Sequence, residues 1–322
     1  MSIVKTTITM ENQSIVNDVD IMRFAPAVKD VKPLLNVFVL TYNHETTIAK
    51  ALDSILEQKT TYPFIITILE DASTDNTLAI CKKYVRCFPN KIKLVAQPVN
   101  TKGMHSLWAK KKITTKYWCT LEGDDYWCDN SKIQHALDIL ENFPKFVAFA
   151  HDTLCHTLMT GKKYSLRHNS QDLSLANTGK SEIMSYESCH YIHTSAIIYR
   201  HVVNFSSYNL PLIDTYIFFY HLSFGPMFYI DKIMSVHLQT GKGMWSSLSD
   251  VERKFKNEEI HYTLNRYFKF NFDKFFSNTV CHKKQLKRLK FVFGVALGWK
   301  VYIFMRKVRL YAILFKQKRR QK

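Results

Sequence analysis

Glycine is scarce in this chain, nine in 322 residues, and the first stands at position 103. The turn after the first strongly apolar run is Thr41-Tyr42-Asn43-His44. Without glycine the backbone cannot close tightly around phosphate there, which argues against a GxGxxG dinucleotide turn and against a P-loop. There are seven cysteines, an odd number, and no two are spaced CxxC. That pattern disfavours a structural zinc site and a disulfide framework, and it suits a reducing cytosol. Residues 1–20 hold no apolar segment of the signal-peptide kind, and no uncharged apolar run approaches the roughly 18 residues of a transmembrane helix. Acidic residues are missing from one region: beyond Cys281 there are fourteen Lys and Arg and no Asp or Glu.

Hydrophobic residues make up 46% of the chain and aromatics 14%, enough for a large packed core. The formal charge of +18 calls for an anionic partner: nucleic acid, anionic lipid or a phosphorylated substrate. Residues 1–33, interrupted by Pro26 and Pro33, read as an irregular arm. From Leu34 short apolar runs alternate with helical patterns. Residues 36–40, 65–69, 92–96, 117–121 and 146–150 read as buried strands. Between them, sets such as Ile48, Leu52, Ile55 and Leu56, or Ile133, Leu137 and Leu140, repeat at helical spacing. The alternation predicts an α/β fold, an open and mostly parallel sheet flanked by helices. Segment 157–180 is polar and reads as loop, 195–199 and 227–230 as strands, and 214–222 as a helix. A catalytic domain over 34–250 and a basic helical tail over 251–322 follow from this division.

In open α/β sheets ligands bind beyond the carboxyl ends of the strands. Thr41-Tyr42-Asn43-His44 follows the first strand, Glu70-Asp71-Ala72-Ser73 the second, and Glu122-Gly123-Asp124-Asp125 the fourth. Polar and acidic residues therefore gather on one predicted rim. Asp124 and Asp125 are suited to hold Mg²⁺ or Mn²⁺, hard cations that a substrate pyrophosphate can share. Asp75, by contrast, reads best as a helix cap.

The runs Val39-Leu40-Thr41-Tyr42-Asn43, Glu70-Asp71-Ala72-Ser73-Thr74-Asp75-Asn76-Thr77 and Glu122-Gly123-Asp124-Asp125-Tyr126-Trp127 resemble glycosyltransferase family 2. The resemblance is specific over 35–150, looser to Trp245, and absent from the arm and tail. It implies the GT-A fold, inverting chemistry and a nucleotide-sugar donor, with UDP the usual nucleotide. It implies that Thr41, Tyr42 and Asn43 line the nucleobase and ribose pocket and that Asp71 bonds the base. Asp125 would be the main metal ligand, with Asp124 near the ribose or the metal. Asp214 matches the family's later acidic position, which supplies the catalytic base; as the first residue of a helix it also reads as a cap. His193 stands in a segment similar to the acceptor-side strand, either as an acceptor contact or as a packed residue. Relatives often carry Arg and His where this chain has Leu238 and Thr240. Lys242 could then face the leaving diphosphate, and His237 could serve as a substitute metal ligand.

The tail alternates basic residues with apolar runs too short to span a bilayer, which fits a helix lying on an anionic membrane surface. The other expectation is a helix packed on the catalytic domain with a solvated basic face. Peripheral attachment at the inner face of the cell membrane would suit a glycan or lipid-linked glycan acceptor, in bacterial polysaccharide or lipopolysaccharide assembly as the resemblance implies. Three other readings compete: a nucleic-acid- or lipid-binding protein on a degenerate transferase fold, an inactive relative, and a nucleotidyltransferase. The acidic rim and the lack of a recognised motif argue against nucleic acid. The missing glycine loop argues against a nucleotidyltransferase.

Overall fold

The computed structural model describes residues 32–185, 188–202, 205, 214–240, 248–271 and 273–320. Most of the predicted arm therefore lies outside the described residues, as does Lys242. The N-terminal half alternates strand and helix: β1 (Leu35–Thr41), α1 (Ile48–Leu56), β2 (Phe64–Glu70), α2 (Thr77–Cys87), β3 (Ile92–Ala96), α3 (Met104–Lys111), β4 (Tyr117–Glu122), β5 (Tyr126–Trp127) and α4 (Lys132–Asn142). Then come β6 (Ala148–Thr157), β7 (Lys162–Ser165), β8 (Ser181–Met184), a 3-10 turn (Thr194–Ala196), β9 (Ile197–Arg200), α5 (Asp214–Leu222) and β10 (Met227–Gln239). Helices α6 (Asp250–Tyr267), α7 (Asp273–Thr279) and α8 (Lys283–Arg320) complete the chain.

All ten strands join one sheet in the order β3-β2-β1-β4-β9-β6-β10-β5, with β7 added to β6 and β8 to β10. Strands β3, β2, β1 and β4 run parallel, as do β6 and β10, while β9 is antiparallel to both its neighbours. Every residue of β2 (Phe-Ile-Ile-Thr-Ile-Leu-Glu) is buried, as expected of a strand covered on both faces. Helix α1 buries Ile48, Ala51, Leu52 and Ile55, a stripe at i, i+3, i+4 and i+7. The chain leaves β1 for β2 and β3 and then returns to β4 on the other side of β1. That reversal creates a switch point between the carboxyl ends of β1 and β4, where Leu40 is opposite Glu122.

The core forms two clusters, and the larger is continuous from the sheet into the tail. Trp118, Tyr199 and Met227 of the strands belong to it together with Ile217 of α5, Leu264 of α6, Phe276 of α7 and Trp299 and Tyr302 of α8. Helix α8 is broken at Gly294, whose φ of 75° lies in the left-handed region that glycine enters without penalty. In a straight helix, residues 282 and 302 would be about 30 Å apart. Here the His282 amide donates to the Tyr302 hydroxyl at 3.3 Å, and Gln285 reaches the Met305 sulfur at 3.7 Å. Segments 283–293 and 295–320 thus form an antiparallel hairpin. A Cβ on Gly298 would fall 2.7 Å from the Lys290 backbone, so only glycine permits this approach. Two acids clamp the hairpin to the body. Glu258 (2% exposed) accepts bonds from Tyr302 Oη (2.8 Å), the Cys281 amide (2.8 Å) and Arg306 Nε (2.7 Å). Asp273 accepts from Lys290 and from Trp299 Nε1 at 2.6 Å. The tail is therefore a docked hairpin rather than one continuous helix. Among the described residues no helix is long and apolar enough to cross a membrane.

Candidate active site

The register explains which side chains meet at the switch point. Strand β9 is antiparallel to β4, with Ile198 opposite Cys119, so the turn before β9 returns to the carboxyl end of β4. Strand β10 is antiparallel to β5, with Val236 opposite Tyr126, so His237 comes to face Asp125. Asp125 is 1% exposed. Its Oδ1 accepts from His237 Nδ1 at 3.0 Å and from the Leu238 amide at 3.1 Å. Its Oδ2 is buried with no hydrogen-bond partner, and His193 Nδ1 lies 3.6 Å from it. The rings of His193 and His237 overlap with centroids 4.3 Å apart. One ligand atom from each of Asp125, His193 and His237 falls within 4.8 Å of the others, a grouping able to hold a metal ion.

Protonation follows from surroundings. Burial pushes His193 well below the usual histidine range, and the neighbouring His237 lowers it further, so it is a neutral donor. Burial would also lower His237, but the bond to the Asp125 carboxylate outweighs it and holds that ring above its ordinary value. Glu122 is driven well above the carboxylate range, first by burial and then by Asp125, Asp214 and Asp124. Lys110, 2% exposed, is lowered by burial while Asp214 and Glu122 pull the other way. These mutual influences put Asp214, at the start of α5, in the same acidic cluster as Glu122, Asp124 and Asp125.

Hydroxyls and a buried amine hold the histidine turn. His193 Nδ1 meets Ser195 Oγ at 2.8 Å, Ser195 Oγ meets Ser235 Oγ at 3.2 Å, and Ser235 Oγ meets Thr153 Oγ1 at 3.0 Å. The Ser195 carbonyl accepts from Trp127 Nε1 at 3.2 Å and from Lys132 Nζ. Lys132 is fully buried, and burial pushes its amine down to about 7.

The loops after β1 and β2 are knitted together. The Asn43 amide donates to Ser73 Oγ (3.0 Å) and Asn43 Oδ1 accepts from the Thr74 amide (2.8 Å); the residue sits at a φ of 55°. Asp71 Oδ1 accepts from the Thr101 amide (2.8 Å) and hydroxyl (2.7 Å), and its Oδ2 accepts from the Gly103 amide (3.1 Å). That carboxylate braces the turn before α3. Thr41 is buried with its hydroxyl 3.3 Å from His44 Nδ1, Tyr42 is exposed, and His44 Nε2 lies 3.9 Å from Asp124. Asp75 accepts from the Thr77 amide at 3.0 Å, at the head of α2.

A model of the family described as "Glycosyl transferase family 2" matches residues 36–204, just over half of the chain. The chain belongs to that family. It is 24% identical over 234 residues to an uncharacterised protein of Mycobacterium tuberculosis, covering 70% of this chain and 65% of that one. The chain thus spans less than two thirds of the length of that relative. It is 34% identical over 105 residues to the dTDP-rhamnosyl transferase RfbG of Shigella flexneri, covering 31% of this chain and 36% of RfbG. Among solved structures it is similar to the mannosyltransferase PcManGT of Pyrobaculum calidifontis in complex with GDP-Man and Mn²⁺ (TM-score 0.55, 15% identity, 90% of this chain and 88% of that one). It is also similar to S. aureus TarS 1-349 in complex with UDP-GlcNAc (TM-score 0.50, 18% identity, 80% and 78%). The fold is GT-A.

Within this family 2 chain, the rim brings together Thr41, Tyr42, Asn43, Asp124, Asp125, Asp214 and His237, all read from the sequence. Asp71 joins them through the 101–103 turn. His193, open to two readings from sequence, is a buried neighbour of Asp125. Lys132, Lys110 and the Ser195–Ser235–Thr153 hydroxyls carry no motif that marks them from sequence. The alternation of Ser235 and His237 on one strand face is a signal for part of that network; nothing local marks Lys132 as buried. A second grouping with the ligand types for a metal ion, Asp152, His168 and Asp231, is already hydrogen-bonded within the protein. Asp152 accepts from Ser165, Thr153 and Arg167, and Asp231 from His168 and Thr178.

Proposed function

We propose that this chain transfers a glycosyl group, with inversion, from a nucleotide sugar to a hydroxyl of a glycan or lipid-linked glycan, and that the donor nucleotide is UDP. The observation that carries the reading is the orphaned Asp125 Oδ2, buried at the switch point beside His193 while Oδ1 is held by His237, with Asp125 and Asp214 both acting on the buried Glu122. A buried acceptor atom without a partner costs stability unless something binds to it. One carboxylate oxygen and two imidazoles suit a divalent cation, and the nitrogen share favours Mn²⁺ over Mg²⁺, which prefers an all-oxygen shell. Bound there, such an ion would supply Lewis-acid stabilisation to the leaving diphosphate.

The remaining roles belong to this chain's own groups. Asp214 takes the proton from the acceptor hydroxyl as its oxygen attacks the anomeric carbon. The bond to the nucleoside diphosphate breaks on the opposite face, with the electron pair leaving on the diphosphate, so the configuration inverts and no covalent enzyme adduct forms. Thr41, Tyr42 and Asn43 line the nucleoside side. Asp71 acts on the base side by holding the 101–103 turn against it. Asp124 faces the ribose. A proton kept on Glu122 limits the negative charge that a diphosphate meets.

Thermal unfolding with UDP, GDP and dTDP, with and without Mn²⁺, tests this. A nucleotide at about a hundred times its Kd adds roughly 2.7 kcal/mol. The expected result is stabilisation by UDP that needs Mn²⁺ and vanishes in Asp125→Ala. If every nucleotide leaves the melting temperature unchanged, the reading fails.

A further inference from the structure

The hairpin at Gly294 has an apex that none of the described residues covers. Residues 291–297, Phe-Val-Phe-Gly-Val-Ala-Leu, are consecutively exposed, with Phe291 at 89% and Val292 at 66%. The other face of the same arms is buried through Leu286, Trp299 and Tyr302, so the apex is not a frayed end. A contiguous apolar patch on an otherwise clamped element marks a binding surface.

Charge identifies the surface. The nearest exposed cations on the two arms are Arg288, with Lys287 beside it, and Lys300. Arg288 and Lys300 each stand six residues from Gly294, which places them about 9 Å along a helix from the apex. Lys290 is closer but is tied to Asp273 and Ser277. No acid occurs anywhere in the hairpin. An apolar tip about 9 Å deep beneath a purely cationic collar matches the roughly 5–10 Å to which amphipathic elements enter a lipid interface. Each cation near an anionic leaflet adds about 1 kcal/mol. From the apex an exposed stripe, Leu297, Phe304, Val308 and Tyr311, runs back along the second arm.

We propose that the Gly294 hairpin is a membrane-docking wedge, whose apex 291–297 enters the interface of an anionic bilayer while Lys287, Arg288 and Lys300 engage lipid phosphates. This differs from a tail lying flat: the contact is a tip, held at a fixed angle by Glu258 and Asp273. It stands independently of the reading of the donor site.

The test is flotation of the full chain with phosphatidylcholine vesicles, with and without phosphatidylglycerol. The expected result is binding that requires phosphatidylglycerol and weakens with salt. The doubly substituted Phe291→Ser, Val292→Ser chain should bind at least ~tenfold more weakly, since two exposed apolar side chains lose their burial. Both residues are exposed, so its melting temperature should match the parent's and certify its fold. Lys287→Gln with Arg288→Gln and Lys300→Gln should remove the lipid selectivity. Equal flotation of parent and Phe291→Ser, Val292→Ser overturns the wedge. So does an oligomer in sedimentation that dissociates on the same substitutions while vesicles are ignored, which would make a second copy the occupant.

Discussion

Replacing Lys132 by methionine should change how stability depends on pH, not only how large it is. The amine is fully buried and held at about 7, against 10.5 for an exposed lysine. The gap of about 3.5 units corresponds to roughly 5 kcal/mol at about 1.4 kcal/mol per unit. The sign follows from counting protons. Below about pH 7 both the folded and the unfolded chain carry the proton, and the cost of burying the charge is felt in full. Between about pH 7 and 10.5 the unfolded chain keeps a proton that the folded chain has released. Stability therefore rises with pH across that window, by about 1.4 kcal/mol per unit. Methionine has no such proton. Urea unfolding at pH 7, 8 and 9 should show wild type gaining about 2.3 kcal/mol on Lys132→Met from the first point to the last, a little under the full slope because the folded amine is already half titrated at pH 7. Other titrating groups cancel in the difference, and the lost bond to the Ser195 carbonyl adds only an offset that does not vary with pH. A difference that stays flat would refute the assignment of a neutral amine under Trp127.

Three further outcomes follow from the geometry. His237→Ala should weaken Mn²⁺-dependent nucleotide binding at least ~tenfold by calorimetry, because it removes a nitrogen donor beside Asp125; unchanged affinity would remove His237 from the ligand set. Arg306→Leu leaves Glu258 buried with only the Tyr302 and Cys281 bonds and should cost about 3 kcal/mol in denaturant unfolding. Gly298→Val drives a side chain into the Lys290 backbone and should lower stability by about 2–3 kcal/mol, read as a fall in Tm without loss of helical circular dichroism.

The parallel half was legible because its local signals and its burial agree. Strand β3 runs over Ile92–Ala96 and helix α5 over Asp214–Leu222, the bounds read from the sequence. The apolar run read as 36–40 grew by one residue at each end, to Leu35–Thr41. The apolar pattern marks strand β10 only to Ile230, yet the strand continues to Gln239. Ser235 and His237 look like loop in a hydropathy trace, but they sit in the strand because its partners β6 and β5 supply the ladder, while Asp231 and Lys232 fall in a register shift of the β6 pairing between Ile230 and Ile233. The motif at 122–127 pointed to the site; its partner His193 depended on antiparallel pairing of β9 with β4, a long-range register no local pattern encodes. The hairpin was hidden for a similar reason. Residues 291–299 read as one apolar run stopped by Lys300, and only the left-handed Gly294 together with the tight contact at Gly298 turns that run back on itself.

The clamp between Glu258 and the second hairpin arm also sets an order of events during synthesis. Residues that build the sheet and α6 leave the ribosome first, but the groups that satisfy Glu258 arrive in two instalments, Cys281 and then Tyr302 with Arg306. Until the second arrives, a carboxylate destined for the interior must stay hydrated, and α6 cannot seat Ile260 and Leu264 fully in the shared core. The nascent sheet must therefore wait with part of its apolar face open, a state prone to association. Docking of the second hairpin arm, rather than pairing of the last strand, is what completes the set of bonds to Glu258.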